Sequence, residues 1–522
     1  MSTGWVLPEE VLRDAPTYTP RPHELADLEL LLAEAYTPLT GFLGRADLAS
    51  LARTGRLANG TSWPVPVTLQ VPVALLDQID TANPLRRVLV LTDPEGAPIA
   101  AVDAIEVWPV TGEAGGPDGE MAGVAGPVRR IGDGSHGPFR RLRHAPAEVR
   151  GVLPPGRVLG VIADRPLHRP QLAQIAYAAR TLAGHLLVLI PVAGPGPEGL
   201  APETLVRAVL AARDRMPAAT IVAVPLFPHS DEIRNALLRA RVAAAFGVTH
   251  LLATTSSTLS GGGPRVLIPR ELAYDGRDGQ WRARDDIPPR HRRAALPVAE
   301  IDDLLDRGVA LPEWHTPPAV ARELARGRPP RRQRGLVVFF TGLSGAGKST
   351  IARGLADALL ETGERTVTLL DGDVVRRHLS AGLGYSASDR DVNVRRIGWV
   401  AAEAARHGGL VVCCPIAPYA AAREAAREFA RAAGAGFILV HVSTPIEECE
   451  KRDRKGLYAK ARSGELTGMT GVDDPYEVPT DAELTLDTSG MPVAEGVATV
   501  LRYLGAHGWI EPRAPAAAGS AG

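Results

Sequence analysis

A glycine-rich segment at the start of the last third of the chain has the spacing of a phosphate-binding loop. It follows the strand-like apolar run 336–340, precedes a helix-favouring run, and fits the pattern G-x-x-x-x-G-K-[ST]. In this setting backbone N–H groups surround the phosphates, the lysine reaches the terminal phosphates and the serine binds Mg²⁺. A chance glycine-rich turn would lack these flanks. The predicted ATP-binding residues are Gly342, Leu343, Ser344, Gly345, Ala346, Gly347, Lys348, Ser349 and Thr350.

Two carboxylates follow the next predicted strand, in the run 366–379. Asp371 and Asp373 come directly after its apolar part, where the carboxyl edge of a parallel sheet usually binds ligands. A carboxylate there can accept the proton of a substrate hydroxyl or orient Mg²⁺. We therefore predict Lys348, Asp371 and Asp373 as catalytic residues, and Ser349 and Asp371 as Mg²⁺ ligands. The alternative role for Asp373 is that of a helix cap.

The blocks around these residues resemble adenylyl-sulfate (APS) kinase. The resemblance implies a P-loop kinase that transfers the γ-phosphate of ATP to the 3′-hydroxyl of APS, giving 3′-phosphoadenylyl sulfate (PAPS), with Asp373 as the base. A P-loop kinase for another nucleotide is an alternative. The matching blocks are 342–350, 370–379, 383–401, 415–423 and 449–479.

The same resemblance implies which side chains bind APS. Three residues match family positions that hold the phosphosulfate and the ribose, and guanidinium groups suit such anions. Two others stand where aromatic side chains enclose the adenine, although one of them is a methionine here. The last belongs to a segment, 452–471, that resembles a mobile lid; a solvated charged helix is the alternative. In this order, the predicted substrate-binding residues are Arg376, Arg390, Asn393, Tyr385, Met469 and Lys460.

Ala417 is a further departure from the family pattern. The family often has serine at this position, directly before Pro418 and Tyr419. Alanine has no hydroxyl, so a phosphoserine intermediate at this position is excluded. We expect direct in-line transfer between the two nucleotides.

The first two thirds of the chain resemble ATP sulfurylase, with its active-site pattern altered. The family pattern Q-x-R-N-P-x-H-x-x-H corresponds to residues 162–171, where only Pro166 and His168 remain, and TTSSTL (254–259) replaces an anion-binding loop. Asp164 takes the place of arginine, and a unit charge pair at 4 Å is worth about 4 kcal/mol at an effective dielectric constant of 20. We predict a domain without sulfurylase activity, in which His168 is structural. A bifunctional enzyme that makes PAPS from sulfate and ATP is the alternative.

The composition and the spacing of glycine- and proline-rich segments indicate an α/β chain of several domains. A P-loop NTPase-type parallel sheet with helices on both faces is preceded by a β-rich domain and a nucleotide-binding-like α/β domain. A glycine-rich stretch, 111–137, is predicted to be an exposed loop. The predicted segments are 1–155 (β-rich), 156–326 (α/β), 327–335 (linker), 336–510 (kinase) and 511–522 (disordered tail).

Charge and cysteine content limit the partners. Lys and Arg number 58 against 59 Asp and Glu, so the chain has no excess of basic residues. We therefore expect no nucleic-acid partner. Three cysteines are too few for a disulfide framework, and no run of 18 apolar residues or signal sequence occurs. We expect a cytoplasmic homo-oligomer with the small-molecule substrates APS and ATP, and no membrane partner.

Overall fold

The computed structural model forms two compact units. The first comprises Met1–Glu198, Pro202–Leu296 and Pro312–Glu323, and the second comprises Gly199–Ala201, Pro297–Leu311 and Leu324–Gly522. Residues 512–522 of the predicted tail (511–522), the segment 254–259 and parts of the glycine-rich stretch 111–137 lie outside the described residues. The predicted domain boundaries stay predictions. The structure describes residues 9–84, 86–110, 120–132, 137–194, 200–253 and 263–511.

A seven-stranded sheet opens the first unit. Its order is β1-β4-β5-β7-β2, with β3 and β6 also paired to β7, and every pairing except β1 with β4 is antiparallel. The strands are β1 (Thr17–Tyr18), β2 (Gly41–Phe42), β3 (Leu69–Pro72), β4 (Val88–Thr92), β5 (Pro98–Asp103), β6 (Glu106–Pro109) and β7 (Met121–Arg130). The accompanying helices are α1 (Glu9–Asp14), α2 (Pro22–Leu32), α3 (Arg45–Thr54) and α4 (Pro146–Val152).

Strand β7 corrects the prediction that residues 111–137 form an exposed loop. This strand lies at the centre of the sheet, and its small residues allow its neighbours to approach closely. A Cβ atom on Gly123 would lie 2.3 Å from the ring of Trp108, and one on Gly126 would lie 1.7 Å from the carbonyl oxygen of Asp103. Low apolar content was misleading because close backbone packing replaces side-chain volume here.

A parallel sheet follows in the order β10-β9-β8-β11-β12, and a small antiparallel sheet in the order β14-β13-β15. The alternation of strands and helices from β8 to β10 confirms the α/β fold predicted for this part of the chain. One cluster of buried apolar side chains contains residues from the seven-stranded and the parallel sheets, such as Leu89 and Leu189. The elements are β8 (Val158–Ile162), α5 (Arg169–Leu182), β9 (His185–Pro191), α6 (Pro202–Ala211), β10 (Ala219–Val224), α7 (Glu232–Ala245), β11 (His250–Leu252), β12 (Arg265–Leu267), β13 (Leu272–Asp275), β14 (Gln280–Ala283) and β15 (Arg292–Arg293).

The second unit contains a five-stranded parallel sheet in the order β17-β18-β16-β19-β20. Val338 and Phe340 of β16 pack on one face, and Val337 and Phe339 pack on the other. The predicted sheet with helices on both faces is therefore confirmed. Its strands are β16 (Leu336–Thr341), β17 (Val367–Leu370), β18 (Leu410–Cys413), β19 (Gly436–Val442) and β20 (Leu484–Leu486). The remaining helices of the chain are α8 (Val298–Arg307), α9 (Pro318–Gly327), α10 (Lys348–Thr362), α11 (Gly372–His378), α12 (Ala387–Arg406), α13 (Ala420–Ala432), α14 (Ile446–Arg452), α15 (Leu457–Arg462) and α16 (Val493–Ala506). None of the described helices has both the length and the apolar character needed to cross a bilayer.

Three arginines of the predicted linker region surround one carboxylate of α8. Asp306, whose side chain is 8% exposed, accepts hydrogen bonds from Arg328 Nε (2.8 Å), Arg331 Nε (3.1 Å) and Arg334 Nη2 (2.5 Å). Burial opposes the charge of Asp306, but the arginines outweigh this effect and lower its pKa to about 2. This part of the linker is therefore fixed within the second unit.

Removal of this carboxylate tests the cluster. Asp306→Ala should lower the unfolding free energy of the second unit by about 3 kcal/mol, because it removes the buried carboxylate that three arginines share. Arg328 keeps a second carboxylate, Asp302, at 2.8 Å. Asp303→Ala is the matched control on α8, since Asp303 forms an exposed pair with Arg307 and should change stability by less than about 1 kcal/mol. Urea unfolding of both variants gives the comparison. Equal stability of the two variants would contradict a structural role for the cluster.

Candidate active site

The predicted phosphate-binding loop joins β16 to α10. Gly342, Gly345 and Gly347 have φ values of 145°, 76° and 101°, which favour glycine. A Cβ atom on Gly342 would lie 2.4 Å from the carbonyl oxygen of Val442. The loop therefore has the backbone geometry that turns N–H groups inward toward an anion, at the N-terminus of a long helix.

Lys348 is the first residue of α10 and is buried, with 6% of its surface exposed. Its Nζ donates a hydrogen bond to the carbonyl oxygen of Leu343, at 2.7 Å. Burial lowers the pKa of Lys348 to about 8. The side chain therefore remains mainly a cation at neutral pH, held within the loop.

Asp371 directly follows β17, at the same edge of the sheet, and is 3% exposed. Its Oδ1 accepts from the backbone N–H of Asp373 (3.0 Å), and its Oδ2 accepts from Arg353 Nη2 (3.1 Å). Burial favours the neutral acid, but these hydrogen bonds outweigh burial and lower the pKa of Asp371. Asp371 is thus the N-cap of α11. The alternative in which Asp373 serves as the cap is wrong, because Asp373 is already inside the first turn.

Cys414, a buried free cysteine, extends this cluster. Its Sγ lies 3.8 Å from Asp371 Oδ2, and burial raises the pKa of its thiol to about 11. A neutral thiol therefore donates toward the carboxylate. Its position at the end of β18, next to β16, is the sequence signal that places it at this edge.

Asp373 projects from α11 into a more open region. Its Oδ2 lies 2.5 Å from Nζ of Lys455, which belongs to the predicted lid. The carboxylate side chain is 66% exposed. The structure thus places a lid cation directly against the predicted base, a pairing that sequence spacing did not reveal.

Arg376 and Tyr385 form a second group. The guanidinium carbon of Arg376 lies 4.3 Å from the ring centre of Tyr385, and its Nη1 donates to the carbonyl oxygen of Gly384 at 2.8 Å. Tyr385 is 69% exposed. One face of an exposed aromatic ring is therefore covered by a cation that is itself oriented by the backbone.

Arg390 and Asn393 lie one turn apart on α12, and both are buried. Arg390 Nη1 donates to Thr470 Oγ1 at 2.6 Å, and Nη2 lies 3.1 Å from Asp474 Oδ2. Asn393 Oδ1 is buried and has no hydrogen-bond partner among the described residues. A buried acceptor without a partner beside a fixed cation is suited to a polar ligand.

The predicted lid is anchored to the loop beneath it. Tyr458 OH donates to the carbonyl oxygen of Ser344 at 2.8 Å, and Arg452 Nη2 donates to that of Thr488 at 2.8 Å. Met469 is 7% exposed and packs in an apolar cluster, whereas Lys460 is exposed on α15. The segment is therefore not a fully solvated charged helix; its mobility stays a prediction.

Comparisons with known proteins agree with this geometry. The adenylylsulphate kinase family model matches residues 334–487, and a PUA-like domain model matches residues 9–115. Sulfate adenylyltransferase of Aspergillus fumigatus is 32% identical, covering 97% of this chain and 99% of its own. The protein of that name from Emericella nidulans has the same identity and coverage. The structure described as hexameric APS kinase from Thiobacillus denitrificans is 35% identical, has a TM-score of 0.70, and covers 97% of this chain and 96% of its own.

The chain belongs to the sulfate adenylyltransferase family, and its residues 334–487 form an adenylylsulphate kinase domain. The predicted ATP-dependent phosphotransferase of the APS kinase class is confirmed. The roles of the individual site residues stay predictions.

The sulfate adenylyltransferase part has an internal partner for its unusual aspartate. Asp164 Oδ2 accepts from Arg239 Nη1 at 2.6 Å, and both line a cavity of about 130 Å³ beyond the ends of β8, β9 and β10. Arg165 Nε also lies 3.6 Å from Asp164 Oδ1, so the adjacent arginine contributes as well. Arg239 lies on α7, 75 residues away, so the run 162–171 could not reveal it. The ion pair offsets the negative charge without giving the cavity a net positive charge.

His168 has a structural environment. It is the N-cap residue of α5, and its Nδ1 lies 2.9 Å from Thr316 Oγ1, which is also 3.0 Å from Nδ1 of His315. Burial, followed by the nearby His315, lowers the pKa of His168 to about 3; burial lowers that of His315 to about 4. Two neutral imidazoles bridged by a hydroxyl fit the packing role predicted for His168.

The pair of His168 and His315 should make the stability of the first unit depend on pH in the acidic range. The folded-state pKa values lie below the ordinary value of 6.5, so the unfolded chain binds more protons. Stability is therefore complete above about pH 6.5 and is lost as pH falls toward 4, by up to about 1.4 kcal/mol per pH unit for each histidine. His168→Gln should flatten this pH dependence in urea unfolding, whereas His144→Gln, at an exposed position, should not. An unchanged slope in His168→Gln would disprove the assignment.

Proposed function

We propose that the second unit transfers the γ-phosphate of ATP directly to the 3′-hydroxyl of APS. The observation that carries the proposal is the buried cation of Lys348 in a glycine loop, with the carboxylates of Asp371 and Asp373 at the same edge of the sheet. Electrostatic stabilisation and positioning supply most of the catalysis in phosphoryl transfer. Lys348 would stabilise the charge that spreads over the transferred phosphoryl group.

Asp373 is the proposed base for the 3′-hydroxyl. Its exposed carboxylate can accept the proton, while the oxygen of the substrate forms the new bond to phosphorus and ADP leaves. Lys455 contacts Asp373 at 2.5 Å, so it can orient the carboxylate and bring the lid toward the reacting groups. Since Ala417 has no hydroxyl, transfer proceeds without a phosphoserine at that position.

Mg²⁺ is the proposed metal cofactor, held by Ser349 and Asp371. The donors fit because an ionised carboxylate and a hydroxyl are hard oxygen ligands, while burial keeps the neighbouring Cys414 thiol protonated. No group of three or more His, Cys, Asp or Glu side chains suited to a metal occurs among the described residues. This agrees with an ion that takes most of its ligands from phosphates and water, and it would neutralise phosphate charge when bound.

The proposed contacts with APS come from two buried residues on α12, Arg390 and Asn393, and from the pair formed by Arg376 and Tyr385, which precedes α12 in the chain. Arg376 and Arg390 would bind the phosphosulfate, Asn393 the ribose, and Tyr385 the adenine. Met469 and Lys460 remain proposed contacts, although Met469 requires movement of the lid to reach a ligand because it is packed in the core.

Two further proposals concern the state of the protein. The relative described as a hexameric APS kinase supports homo-oligomerisation. The buried free thiols of Cys413, Cys414 and Cys449 are compatible with the reducing cytoplasm that we propose as its location.

Substitution of the loop lysine tests the kinase proposal. The purified chain should convert APS and MgATP into PAPS and ADP, and Lys348→Ala should reduce turnover by about a thousandfold because it removes the cation over the transferred group. Lys451→Ala is the control, since Lys451 is exposed and pairs with Glu448. Chromatographic product analysis measures both rates. Turnover of adenosine or nucleoside monophosphates, with none of APS, would reject the proposed substrate.

A bifunctional enzyme is the second candidate, because similarity to sulfate adenylyltransferases extends over 97% of the chain. We nevertheless propose that the first unit lacks this activity. Among residues 162–171, the carboxylate of Asp164 is hydrogen-bonded to Arg239, and the imidazole of His168 is hydrogen-bonded to Thr316. Neither arrangement supplies the positive charge that a triphosphate requires.

The reverse reaction gives the sensitive test of the first unit. In a Lys348→Ala background, which should not consume APS, APS and pyrophosphate should yield no ATP above a protein-free blank. Luciferase detection measures ATP, and a bacterial or fungal sulfurylase serves as the positive control. Pyrophosphate-dependent ATP formation that His168→Ala abolishes would establish the bifunctional enzyme.

A further inference from the structure

We propose that Asp474 and Tyr419 are positioning residues that hold Arg390 in the orientation in which it binds the anionic part of APS. The inference rests on the proposed role of Arg390 in substrate binding. It adds two side chains that neither the family resemblance nor the comparisons assign to the site.

The guanidinium of Arg390 is fixed by acceptors on different sides. Nη1 donates to Thr470 Oγ1 (2.6 Å), Nη2 lies 3.1 Å from Asp474 Oδ2, and Nε donates weakly to the carbonyl oxygen of Ser386 at 3.4 Å. An arginine has five N–H donors, so these contacts leave donors for a ligand. Arg390 itself is 8% exposed. Its plane is therefore set before any substrate arrives.

Tyr419 acts on Arg390 through Asp474. Its hydroxyl donates to Asp474 Oδ2 at 2.9 Å, the same oxygen that faces Arg390 Nη2. The ring centre of Tyr419 also lies 5.9 Å from the guanidinium carbon of Arg390. The tyrosine thus fixes the rotation of the carboxylate and covers one side of the cation.

We call Asp474 and Tyr419 together the brace of Arg390. This brace is anchored to the turn that follows β18. The backbone N–H of Glu477 donates to the carbonyl oxygen of Pro418 at 2.9 Å, and Glu477 Oε2 accepts from the N–H of Ala420 at 2.6 Å. Arg423, which is 4% exposed, donates to the carbonyl oxygens of Ala417 (2.8 Å) and Glu477 (2.9 Å). Residues 474–477 are therefore held against the turn 417–420.

Ala417 shows that this turn is strongly constrained. Its φ is +47°, a left-handed value that is unfavourable for alanine. Its carbonyl oxygen also accepts from Thr341 Oγ1 at 3.1 Å, at the end of β16. Such a conformation persists only where the surroundings determine it. The chain from β16 through the turn to Asp474 is thus a rigid support for Arg390.

Removal of one hydroxyl tests the inference. Tyr419→Phe should raise the KM for APS by about threefold to tenfold, the range expected for the loss of one hydrogen bond of ordinary net strength, because the tyrosine acts on the ligand only through Arg390. The KM for ATP should stay unchanged. Asp474→Asn should raise the same KM, and the double variant should add little to the larger single effect. Tyr503→Phe on α16 is the matched control, since it removes a tyrosine hydroxyl outside the site. Thermal unfolding of each variant accompanies the kinetics.

The outcomes separate the brace from the proposed role of Arg390. If Arg390→Ala raises the KM for APS while Tyr419→Phe and Asp474→Asn leave it unchanged, the brace is wrong and the binding role stands. Equal increases in the KM values for APS and ATP would also overturn the brace, because they indicate general disturbance. If Arg390→Ala leaves the KM for APS unchanged, the proposed substrate role fails, and the brace fails with it.

Discussion

The second unit depends on keeping an ammonium group inside a loop of glycines. Burial of Lys348 is unfavourable for its charge, and the loop carbonyl of Leu343 gives it a direct partner while Asp371 adds attraction through space. The loop around it contains three glycines with positive φ angles, Gly342, Gly345 and Gly347, directly after β16. The same edge then brings Asp371 and Cys414 near the cation, so the catalytic geometry and the fold have one physical origin.

The sequence predicted the loop, the parallel sheet and the kinase class because these signals are local. The spacing of Gly342, Gly347 and Lys348 fixes a turn between a strand and a helix, and no distant residue is needed to recognise it. The central position of β7 could not be predicted in this way. Its alanines and glycines become core residues only when Trp108 and the backbone of Asp103 come close.

Long-range pairing explains the other differences. Asp164 meets Arg239 across 75 positions, and Asp373 meets Lys455 across 82 positions, so composition near either partner gives no indication of the pair. In the first unit, Asp164 and His168 both have hydrogen-bond partners within the protein, in the region where we predict that the family's anion-binding residues have been replaced. A fold can keep its stability after such replacement because buried polar groups need partners but do not need a substrate.

The three arginines around Asp306 also bear on how the two parts of this chain could be separated. Helix α8 precedes the last segment of the first unit in the chain, yet it belongs to the second unit together with the arginines that bind its carboxylate. A recombination event or an expression boundary placed at residue 336 would therefore separate the whole cluster from the rest of the second unit. The kinase fragment would lose the contact that Arg331 Nη1 makes with the carbonyl oxygen of His507 at 2.9 Å. The compact unit that contains the kinase is thus discontinuous along the chain, which favours keeping both parts in one polypeptide.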